Sequence, residues 1–558
     1  MDLSSGKIEI VNPGRLAAGL ATSLHGLDEG AVVRRIWERD PAVWKPDGRE
    51  ISDRLGWLDA PAAAGAGVAD MEAFAASVRG EGFVRAVVLG MGGSSLAPEV
   101  FARSFPTAAD GLELEILDTT EPGAVADAAV RLDLLRTLFL VSSKSGSTAE
   151  LVALLSFFYE RTVRALGEAA AGSRFVAITD PASPLEALAA SFRFRRIFHG
   201  RSDIGGRFSA LSAFGLLPAA LMGIDLGRLL ASAEAMAAAC RIETAADNPG
   251  ALLGSVLGSA ALLGADKLTF LVPPRLHAFA AWLEQLVAES TGKDGSGIVP
   301  VIAPGSGDAP LPGEDRLFVD LPDSPAAGRD ARVRAVVDRG EPVVRVPLGD
   351  PYALGGHFFL WEFATAVAGH LLGIDPFDQP DVESTKRKTR QLLAAADAGP
   401  AAVGPRSPGT DAGGTPAETL DAFLAGRRDG DYLAVLAFLP RRPGVETALS
   451  GLAGRLGRST RLPVTVGFGP RYLHSTGQLH KGDGNKGLFL MLLAADLPEV
   501  AIPEVPGIVR PAPGFAALFR AQARGDGLAL AEKGRRVLTV ELAEPLEAAI
   551  AALEPHSA

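Results

Sequence analysis

The sequence predicts an α/β fold in which two doubly wound, parallel-sheet domains are followed by an additional C-terminal α/β segment. Short aliphatic or β-branched runs alternate with helical segments, which is typical of parallel sheets covered on both faces. This alternation occurs twice before a stretch rich in Ala, Gly, Pro and Ser, and strand-like runs resume after it. A chain of 558 residues has room for about three or four compact units.

The N-terminal segment, residues 1–60, contains none of these runs and is predicted to be helical. Arg34, Arg35, Trp37 and Trp44 fall among its apolar positions, so we expect its helices to lie on the surface. The first α/β domain is expected over residues 61–225. Its predicted strands are RAVVLG (85–90), LELEILD (112–118), TLFLVSS (137–143) and RFVAITD (174–180).

The second α/β domain is expected over residues 226–393, with strands at KLTFLV (267–272), RLFVDL (316–321) and PVVRVPL (342–348). Two similar halves favour a ligand site between them. Residues 394–416 have the composition of a flexible linker. The C-terminal α/β segment, 417–558, has predicted strands at DYLAVLAFL (431–439), VTVGF (464–468), GLFLMLLA (487–494) and RRVLTVEL (535–542).

Composition and charge exclude several classes of function. The formal net charge of −12 disfavours nonspecific binding to nucleic acid or to an anionic membrane, so an anionic ligand needs a local positive pocket. Cys240 is the only cysteine, which excludes an internal disulfide and a cysteine zinc site and fits a reducing cytoplasm. The most apolar windows are too short to span a membrane, and no signal peptide opens the sequence. We therefore expect a soluble, cytoplasmic protein.

The first candidate site is the glycine-rich turn in VVLGMGGSSLAPEV (87–100), which runs from strand to helix. Its candidate residues are Gly92, Gly93 and Ser94, because glycines let backbone N–H groups approach an anion at a helix N-terminus. A dinucleotide site requires G-x-G-x-x-G, and the last glycine is missing here. Asp118 ends the next strand and is placed like a ribose-binding acid, so NAD remains a minor alternative. A tight turn without a ligand is the other alternative.

The second candidate is the turn in LVSSKSGSTAELVALL (140–155), which places several hydroxyls and one lysine between a strand and a helix. These groups are able to surround a phosphate, and they belong to Ser143, Lys144, Ser145, Ser147 and Thr148. The Walker pattern is absent, which argues against nucleotide hydrolysis. A hydroxyl-rich helix cap without a ligand is the alternative, although one cap needs only one hydroxyl.

The third and fourth candidates supply an arginine and a carboxylate. In SDIGGRFSALS (202–212), two glycines precede Arg207 and leave it free to point inward; a surface arginine at a helix start is the alternative. In LEQLVAESTGKDG (283–295), Glu289 lies at the edge of an apolar helical stripe, one turn after Gln285. A half-desolvated carboxylate near a helix C-terminus has a raised proton affinity, which suits abstraction of a carbon-bound proton. A solvated glutamate is the alternative.

Together with IDPFDQPDVESTK (374–386), these motifs occur in the order found in glucose-6-phosphate isomerase, and residues of roughly 60–393 resemble that family. The resemblance implies two SIS-type sugar isomerase domains. It also implies a homodimer whose active site takes residues from both subunits, with sugar phosphates as ligands. The family uses no metal and no nucleotide, so no cofactor is expected.

The resemblance also implies a role for each motif. The phosphate of the sugar is bound by Ser143, Lys144, Ser145 and Thr148, and the sugar site is lined by Gly92, Gly93 and Ser94. Glu289 is the base that moves a proton between C1 and C2, with Gln285 beside it. Arg207 shields the enediol(ate) oxygens. Lys386, seven residues after Gln379, contacts the ring oxygen or a hydroxyl during ring opening.

One feature departs from the family pattern. Family members carry a ring-opening histidine between the glutamate and the lysine, whereas this sequence has only His357 and His370 there, both in apolar segments typical of core histidines. A motif of the expected kind follows the linker, in RYLHSTGQLHKGDGNKG (471–487), with His474 four residues before Gln478. This displacement resembles the isomerase half of transaldolase/glucose-6-phosphate isomerase fusion proteins. Ring opening is therefore assigned to His474, with a surface-loop histidine as the alternative.

Two neighbours of this motif, His480 and Lys481, are candidates for fixing the imidazole or binding substrate. The pair His474 and His480 lacks the further ligands of a metal site. No eight-fold βα pattern of a transaldolase barrel is found. The chain is therefore expected to be either an isomerase by itself or a piece of a longer fusion.

The function predicted from the sequence is interconversion of D-glucose 6-phosphate and D-fructose 6-phosphate through ring opening and a cis-enediol(ate), as in glycolysis and gluconeogenesis. A SIS-type regulatory protein that binds sugar phosphates is the first alternative. It would keep the phosphate turn without needing Glu289, Arg207, Lys386 and His474. An isomerase that also accepts mannose 6-phosphate is the second.

Overall fold

The computed structural model describes residues 8–303, 310–324, 331–397 and 416–554. The chain divides into two compact units. Unit 1 contains Met1–Asp118, Leu132–Thr291 and Ile298–Asp378, and unit 2 contains Thr119–Arg131, Gly292–Gly297 and Gln379–Ala558. Most of the predicted linker, residues 398–415, lies outside the described residues.

Along the described residues the strands are β1 Glu9–Asn12, β2 Arg85–Gly90, β3 Glu113–Leu117, β4 Thr137–Ser142, β5 Phe175–Thr179, β6 Arg196–His199, β7 Lys267–Leu271, β8 Val299–Ile302, β9 Arg316–Asp320, β10 Val343–Arg345, β11 Tyr432–Phe438, β12 Val464–Phe468, β13 Gly487–Ala494 and β14 Arg536–Leu542. The α-helices there are α1 Ala17–Glu29, α2 Val32–Trp37, α3 Ala60–Gly80, α4 Gly93–Ser104, α5 Pro122–Arg131, α6 Ala149–Leu166, α7 Glu168–Ala171, α8 Pro184–Ser191, α9 Ala213–Met222, α10 Leu226–Ala239, α11 Pro249–Leu262, α12 His277–Thr291, α13 Ala331–Asp338, α14 Leu354–Leu371, α15 Val382–Asp397, α16 Pro416–Ala425, α17 Pro443–Thr460, α18 Gly477–Gly482, α19 Phe515–Glu532 and α20 Leu546–Ala551.

Unit 1 is built on two sheets. Among the described residues the first has the strand order β3-β2-β4-β5-β6, and all of its pairings are parallel. The second has the order β1-β10-β9-β7-β8 and is parallel except for β1, which pairs antiparallel with β10. Every residue of β4 is buried, which explains its continuous aliphatic sequence. The predicted fold class is confirmed.

The N-terminal segment is packed into the core of unit 1. Trp44 and Trp57 are buried, and Trp37 stacks on Phe359 and Phe363 of α14. The prediction that this segment lies on the surface was wrong, because its scattered aromatic residues cover the apolar helix α14. The segment also contributes β1 to the second sheet, a strand that the sequence did not indicate.

Unit 2 contains a parallel sheet with the order β12-β11-β13-β14 in the described residues. Helix α15 packs along α19. Gly525 permits this close approach, since a Cβ atom there would crowd Thr389 Oγ1. Each strand run predicted from the sequence contains an observed strand. None of the helices in the described part of the chain has both the length and the apolar character needed to cross a lipid bilayer.

Candidate active site

Glu289 lies in the last turn of α12 in unit 1. The apolar stripe of this helix is buried, and it includes Phe279, Trp282, Leu283, Leu286 and Val287. Only 7% of Glu289 is exposed, and the Nε2 amide of Gln285 donates a hydrogen bond to its Oε2 at 3.0 Å. The helical spacing that predicted this pair therefore brings the two side chains into contact. Glu289 is a buried carboxylate, not the solvated residue of the alternative.

Arg207 is the charged partner of Glu289. Its side chain is 3% exposed, and Nη1 lies 3.3 Å from Glu289 Oε1. Nε donates to Ser290 Oγ at 2.7 Å, and Nη2 donates to the backbone carbonyls of Pro376 at 2.6 Å and Asp378 at 3.0 Å. These contacts, with the end of α12 and with the segment 376–378, fix the plane of the guanidinium. Arg207 is therefore a buried arginine, and the alternative of a surface arginine at a helix start is wrong.

The glycine-rich turn lies against the segment that carries Arg207. Gly92 has a φ of 56°, the left-handed region that favours glycine, and α4 begins at the next residue. A Cβ atom on Gly93 would overlap the carbonyl oxygen of Gly206. Only glycine permits this approach, so the predicted sugar-binding residues, including the buried Ser94, are brought beside the arginine loop.

Asp118 was the candidate for a ribose-binding acid, but its carboxylate makes a hydrogen bond within the glycine-rich turn. It is buried and accepts a hydrogen bond from Ser95 Oγ at 3.0 Å. The hydroxyl of Ser95 also contacts the carbonyl oxygen of Gly92 at 3.1 Å. This carboxylate therefore holds the glycine turn in place from within unit 1.

The serine-rich turn joins β4 to α6. Gly146, with a φ of 66°, donates its N–H to Ser143 Oγ at 3.0 Å, and Ser147 Oγ donates to Ser145 Oγ at 3.1 Å. Thr148 stands at the N-cap of α6 and makes no side-chain capping bond to that helix. The hydroxyls of this turn are thus gathered at a helix N-terminus, an arrangement suited to an anion.

Lys144 has partners that the sequence analysis missed. Its Nζ donates to Asp180 Oδ1 at 2.7 Å and to the carbonyl oxygen of Arg201 at 2.8 Å. Burial lowers the pKa of Lys144, and the hydrogen bond to Asp180 opposes that shift. The sequence contained a signal for this contact, because Asp180 directly follows β5, the parallel neighbour of β4. The carboxyl ends of parallel strands share one edge of the sheet.

Lys386 and His474 belong to unit 2. Lys386 is an exposed residue of α15, and His474 is a half-buried residue at the end of the 3-10 helix Arg471–His474. His480 is buried among the rings of Tyr432, Tyr472 and Phe489, and burial lowers its pKa to about 3.

The other candidate near His474, Lys481, is also internal. Lys481 is buried in an ion pair with Asp526. Both His480 and Lys481 thus lie inside unit 2.

Of the two histidines between Glu289 and Lys386, His357 is a core residue, as predicted, whereas His370 is only half-buried. His357 is buried on α14, its Nε2 is 3.2 Å from the carbonyl oxygen of Pro347, and burial lowers its pKa to about 4. His370 Nδ1 lies 2.6 Å from the carbonyl oxygen of Val43.

The arrangement in unit 1 combines a buried carboxylate, an amide and a fixed guanidinium. A carboxylate in such a place can transfer a proton, and the arginine can stabilise negative charge that forms beside it. Within the described residues no group of three or more His, Cys, Asp or Glu side chains is arranged to hold a metal ion.

Comparison with known proteins extends these observations. The family model for phosphoglucose isomerase matches residues 72–299, a range that includes the glycine turn, the serine-rich turn, Arg207 and Glu289. Glucose-6-phosphate isomerase of Rubrobacter xylanophilus is 30% identical over 415 residues, covering 65% of this chain and 94% of that protein.

Two crystal structures share the fold. A hypothetical protein from Thermus thermophilus superposes with a TM-score of 0.58 at 27% identity, covering 70% of this chain and 100% of that one. A glucose-6-phosphate isomerase from Chlamydia trachomatis superposes with a TM-score of 0.57 at 20% identity, covering 68% and 86%. With the matched motifs and the near-complete coverage of the Rubrobacter protein, the chain belongs to the phosphoglucose isomerase family.

Proposed function

We propose that this protein is an aldose–ketose isomerase that interconverts D-glucose 6-phosphate and D-fructose 6-phosphate. The observation that carries the proposal is the buried Glu289, which contacts both Gln285 and Arg207. A carboxylate that shuttles a proton between adjacent carbons must be shielded from water and held in one orientation, and both conditions are met here. The names of the relatives supply glucose 6-phosphate as the aldose, and an aldose–ketose isomerisation of that sugar gives fructose 6-phosphate.

In the proton-transfer step, Glu289 takes the proton from C2 of the open-chain aldose. The electrons of that bond form the C1–C2 double bond of a cis-enediol(ate), and Arg207 stabilises the negative charge on its oxygens. The same carboxylate then returns the proton to C1, which gives the ketose. Gln285 holds Oε2 of Glu289 and so limits the rotation of the carboxylate.

Before this step the pyranose ring must open. The C1–O5 bond breaks, O5 gains a proton and the C1 hydroxyl loses one. We assign this proton transfer to His474, assisted by Lys386, on the strength of the two motifs that carry them. Both residues belong to unit 2 and lie outside the range of the family match.

The phosphate of the substrate is assigned to the turn at residues 143–148, with Ser143, Lys144, Ser145 and Thr148 as its ligands. Gly92, Gly93 and Ser94 are assigned to the sugar. Anchoring the distant phosphate orients the reacting carbons, so binding energy away from the chemistry contributes to the rate. The mechanism uses no metal and no nucleotide.

From the family we also expect the protein to be a homodimer. We expect it to act in the cytoplasm, in glycolysis and gluconeogenesis. The single cysteine, Cys240, is buried, which suits a reducing compartment. Light scattering of the purified protein tests the dimer, since a monomer would contradict it.

The decisive experiment is to incubate the purified protein with fructose 6-phosphate in EDTA, without nucleotide, and follow glucose 6-phosphate by a coupled assay. Glu289→Gln should bind the sugar phosphate but turn over about 10²- to 10⁴-fold more slowly. Binding without turnover by the wild type would instead identify a sugar-phosphate-binding protein. The same assay with mannose 6-phosphate tests for a broader isomerase.

A further inference from the structure

A buried carboxylate in unit 2, Asp526 on α19, accepts hydrogen bonds from three side chains. Asp526 is 0% exposed. Lys481 Nζ is 2.6 Å and Thr385 Oγ1 is 3.3 Å from Oδ1, and Tyr472 Oη donates to Oδ2 at 2.7 Å. A buried charge is stable only when it is paired and hydrogen-bonded, so these donors define a single arrangement of the cluster.

The donors come from the two segments to which ring opening is assigned. Thr385 directly precedes Lys386 in α15. Tyr472 lies two residues before His474, in the same 3-10 helix, and Lys481 belongs to α18, the helix that follows. Asp526 itself belongs to neither segment. It therefore joins the backbone that carries Lys386 to the backbone that carries His474.

A second junction links the same two segments independently. Gln478 of α18 donates through Nε2 to Asp381 Oδ2 at 2.9 Å, and its Oε1 accepts from the backbone N–H of Asp381, also at 2.9 Å. Asp381 directly precedes α15. The two segments are thus fixed to each other at two points within unit 2.

We infer that Asp526 is a positioning residue for ring opening, which holds His474 and Lys386 at a fixed separation without touching the substrate. The inference rests on the proposed function. A displacement of about 1 Å in a reacting group lowers a rate about 10²-fold, so loosening the cluster should slow ring opening. Proton transfer at Glu289 does not involve Asp526 and should continue.

The test separates the two steps by the choice of substrate. Fructose 6-phosphate enters largely as a ring, whereas 5-deoxyfructose 6-phosphate lacks the hydroxyl that closes the furanose and stays open. For Asp526→Asn we expect kcat on fructose 6-phosphate to fall about 10- to 100-fold with little change in KM. Exchange of the C1 proton of the 5-deoxy compound with D2O, followed by NMR, should stay within about twofold of the wild type.

Two reference variants calibrate the result. His474→Asn should likewise lower kcat on fructose 6-phosphate and leave proton exchange on the 5-deoxy compound nearly unchanged. Asp431→Asn removes another buried carboxylate of unit 2, one that contacts Arg536 at 2.6 and 2.8 Å, and it should affect both substrates equally. If Asp526→Asn does not fold, Tyr472→Phe removes one hydrogen bond to the cluster and should give a smaller difference of the same kind.

Equal losses on both substrates, or no loss on either, would overturn the inference for Asp526. If His474→Asn shows no difference between the substrates, the assignment of ring opening falls and the inference falls with it. Two other results would contradict the proposed function itself. The wild type would not interconvert the hexose phosphates, or Glu289→Gln would leave proton exchange on the open-chain compound intact.

Discussion

Arg207 Nη1 and Glu289 Oε1 lie 3.3 Å apart in a part of unit 1 where both side chains are buried. The arginine uses its other nitrogens on Ser290 and on the carbonyls of Pro376 and Asp378. Because each nitrogen has a separate partner, the guanidinium cannot turn away from the carboxylate without losing other hydrogen bonds. The pair is therefore fixed before any substrate arrives, which is what preorganised stabilisation of an enediolate requires.

Arg207→Lys tests this preorganisation. A lysine keeps the positive charge, but its single nitrogen cannot reach all of these partners in a fixed plane. We expect kcat to fall about 10²- to 10³-fold and KM to change less, because the lost contacts matter most in the transition state. Steady-state kinetics in both directions measures the effect.

The matched control is Arg345→Lys, which alters another buried ion pair of unit 1, with Asp320 at 3.0 Å. It should lower stability without a selective loss of kcat. Equal losses of kcat in the two variants would mean that Arg207 acts only through folding.

Lys144→Ala tests the phosphate turn. The Lys144 ammonium is held by Asp180 and the carbonyl of Arg201, so it is already ordered beside the serine hydroxyls. A charge-assisted hydrogen bond contributes about 1.5–3 kcal/mol, so the affinity for sugar phosphates should fall about 10- to 100-fold. Inhibition by inorganic phosphate should weaken in parallel, and calorimetry measures both.

Arg196→Ala is the control for Lys144, since it removes a cation that forms an exposed ion pair with Asp70 at 2.7 Å. It should leave affinity unchanged. Unchanged affinity in Lys144→Ala as well would remove the turn from the binding site.

Most of the fold could be predicted because its central strands are continuous aliphatic runs. β4 and β13 are almost wholly buried, and their sequences are accordingly apolar along nearly their whole length. The strands that were not predicted, β1, β6 and β8, are short, and β1 and β6 mix polar residues with apolar ones. Their pairing depends on neighbours that are distant in sequence, which local patterns do not encode.

The candidate site could be predicted only in part. The contact of Gln285 with Glu289 follows from helical spacing, since the two residues are four positions apart on α12. The burial of Arg207 depends on Ser290 and on the Pro376–Asp378 carbonyls, which are distant in sequence, so its own flanking residues did not establish it. Asp180 was missed although it ends a predicted strand, because a local pattern does not show which strands are neighbours in the sheet.

Gly93→Ala tests the close approach of the glycine turn to the arginine loop. The added methyl would overlap the carbonyl oxygen of Gly206, and backbone cannot move aside as a side chain can. We expect a loss of roughly 1–3 kcal/mol in the free energy of unfolding, as for other overpacked sites, together with a fall in activity. Urea denaturation and steady-state kinetics measure the two effects.

Gly65→Ala is the control for Gly93, because an added Cβ there, within α3, meets no atom within 4 Å apart from its chain neighbours and the backbone of its own helix. This change should stabilise the protein by about 0.5–1 kcal/mol, the usual gain for alanine in a helix. A similar small gain at Gly93 would show that the two backbones are not in close contact.

The acid stability of unit 1 should depend on His357. Its pKa is lowered from 6.5 to about 4 by burial, so below pH 6.5 the unfolded chain takes up a proton that the folded chain does not. Stability from this residue is therefore present above pH 6.5 and is lost as the pH falls toward 4, by up to about 3 kcal/mol. All five tryptophans lie in unit 1, so their fluorescence follows its unfolding in urea.

His357→Gln should flatten this pH dependence, because glutamine can donate to the Pro347 carbonyl without titrating. The free energy of unfolding should then fall less between pH 7 and pH 4 than it does in the wild type. Thr365→Val, a buried and non-titrating change on the same helix, should shift the curve without changing its slope. If the His357→Gln curve runs parallel to the wild-type curve, another group governs the loss of stability in acid.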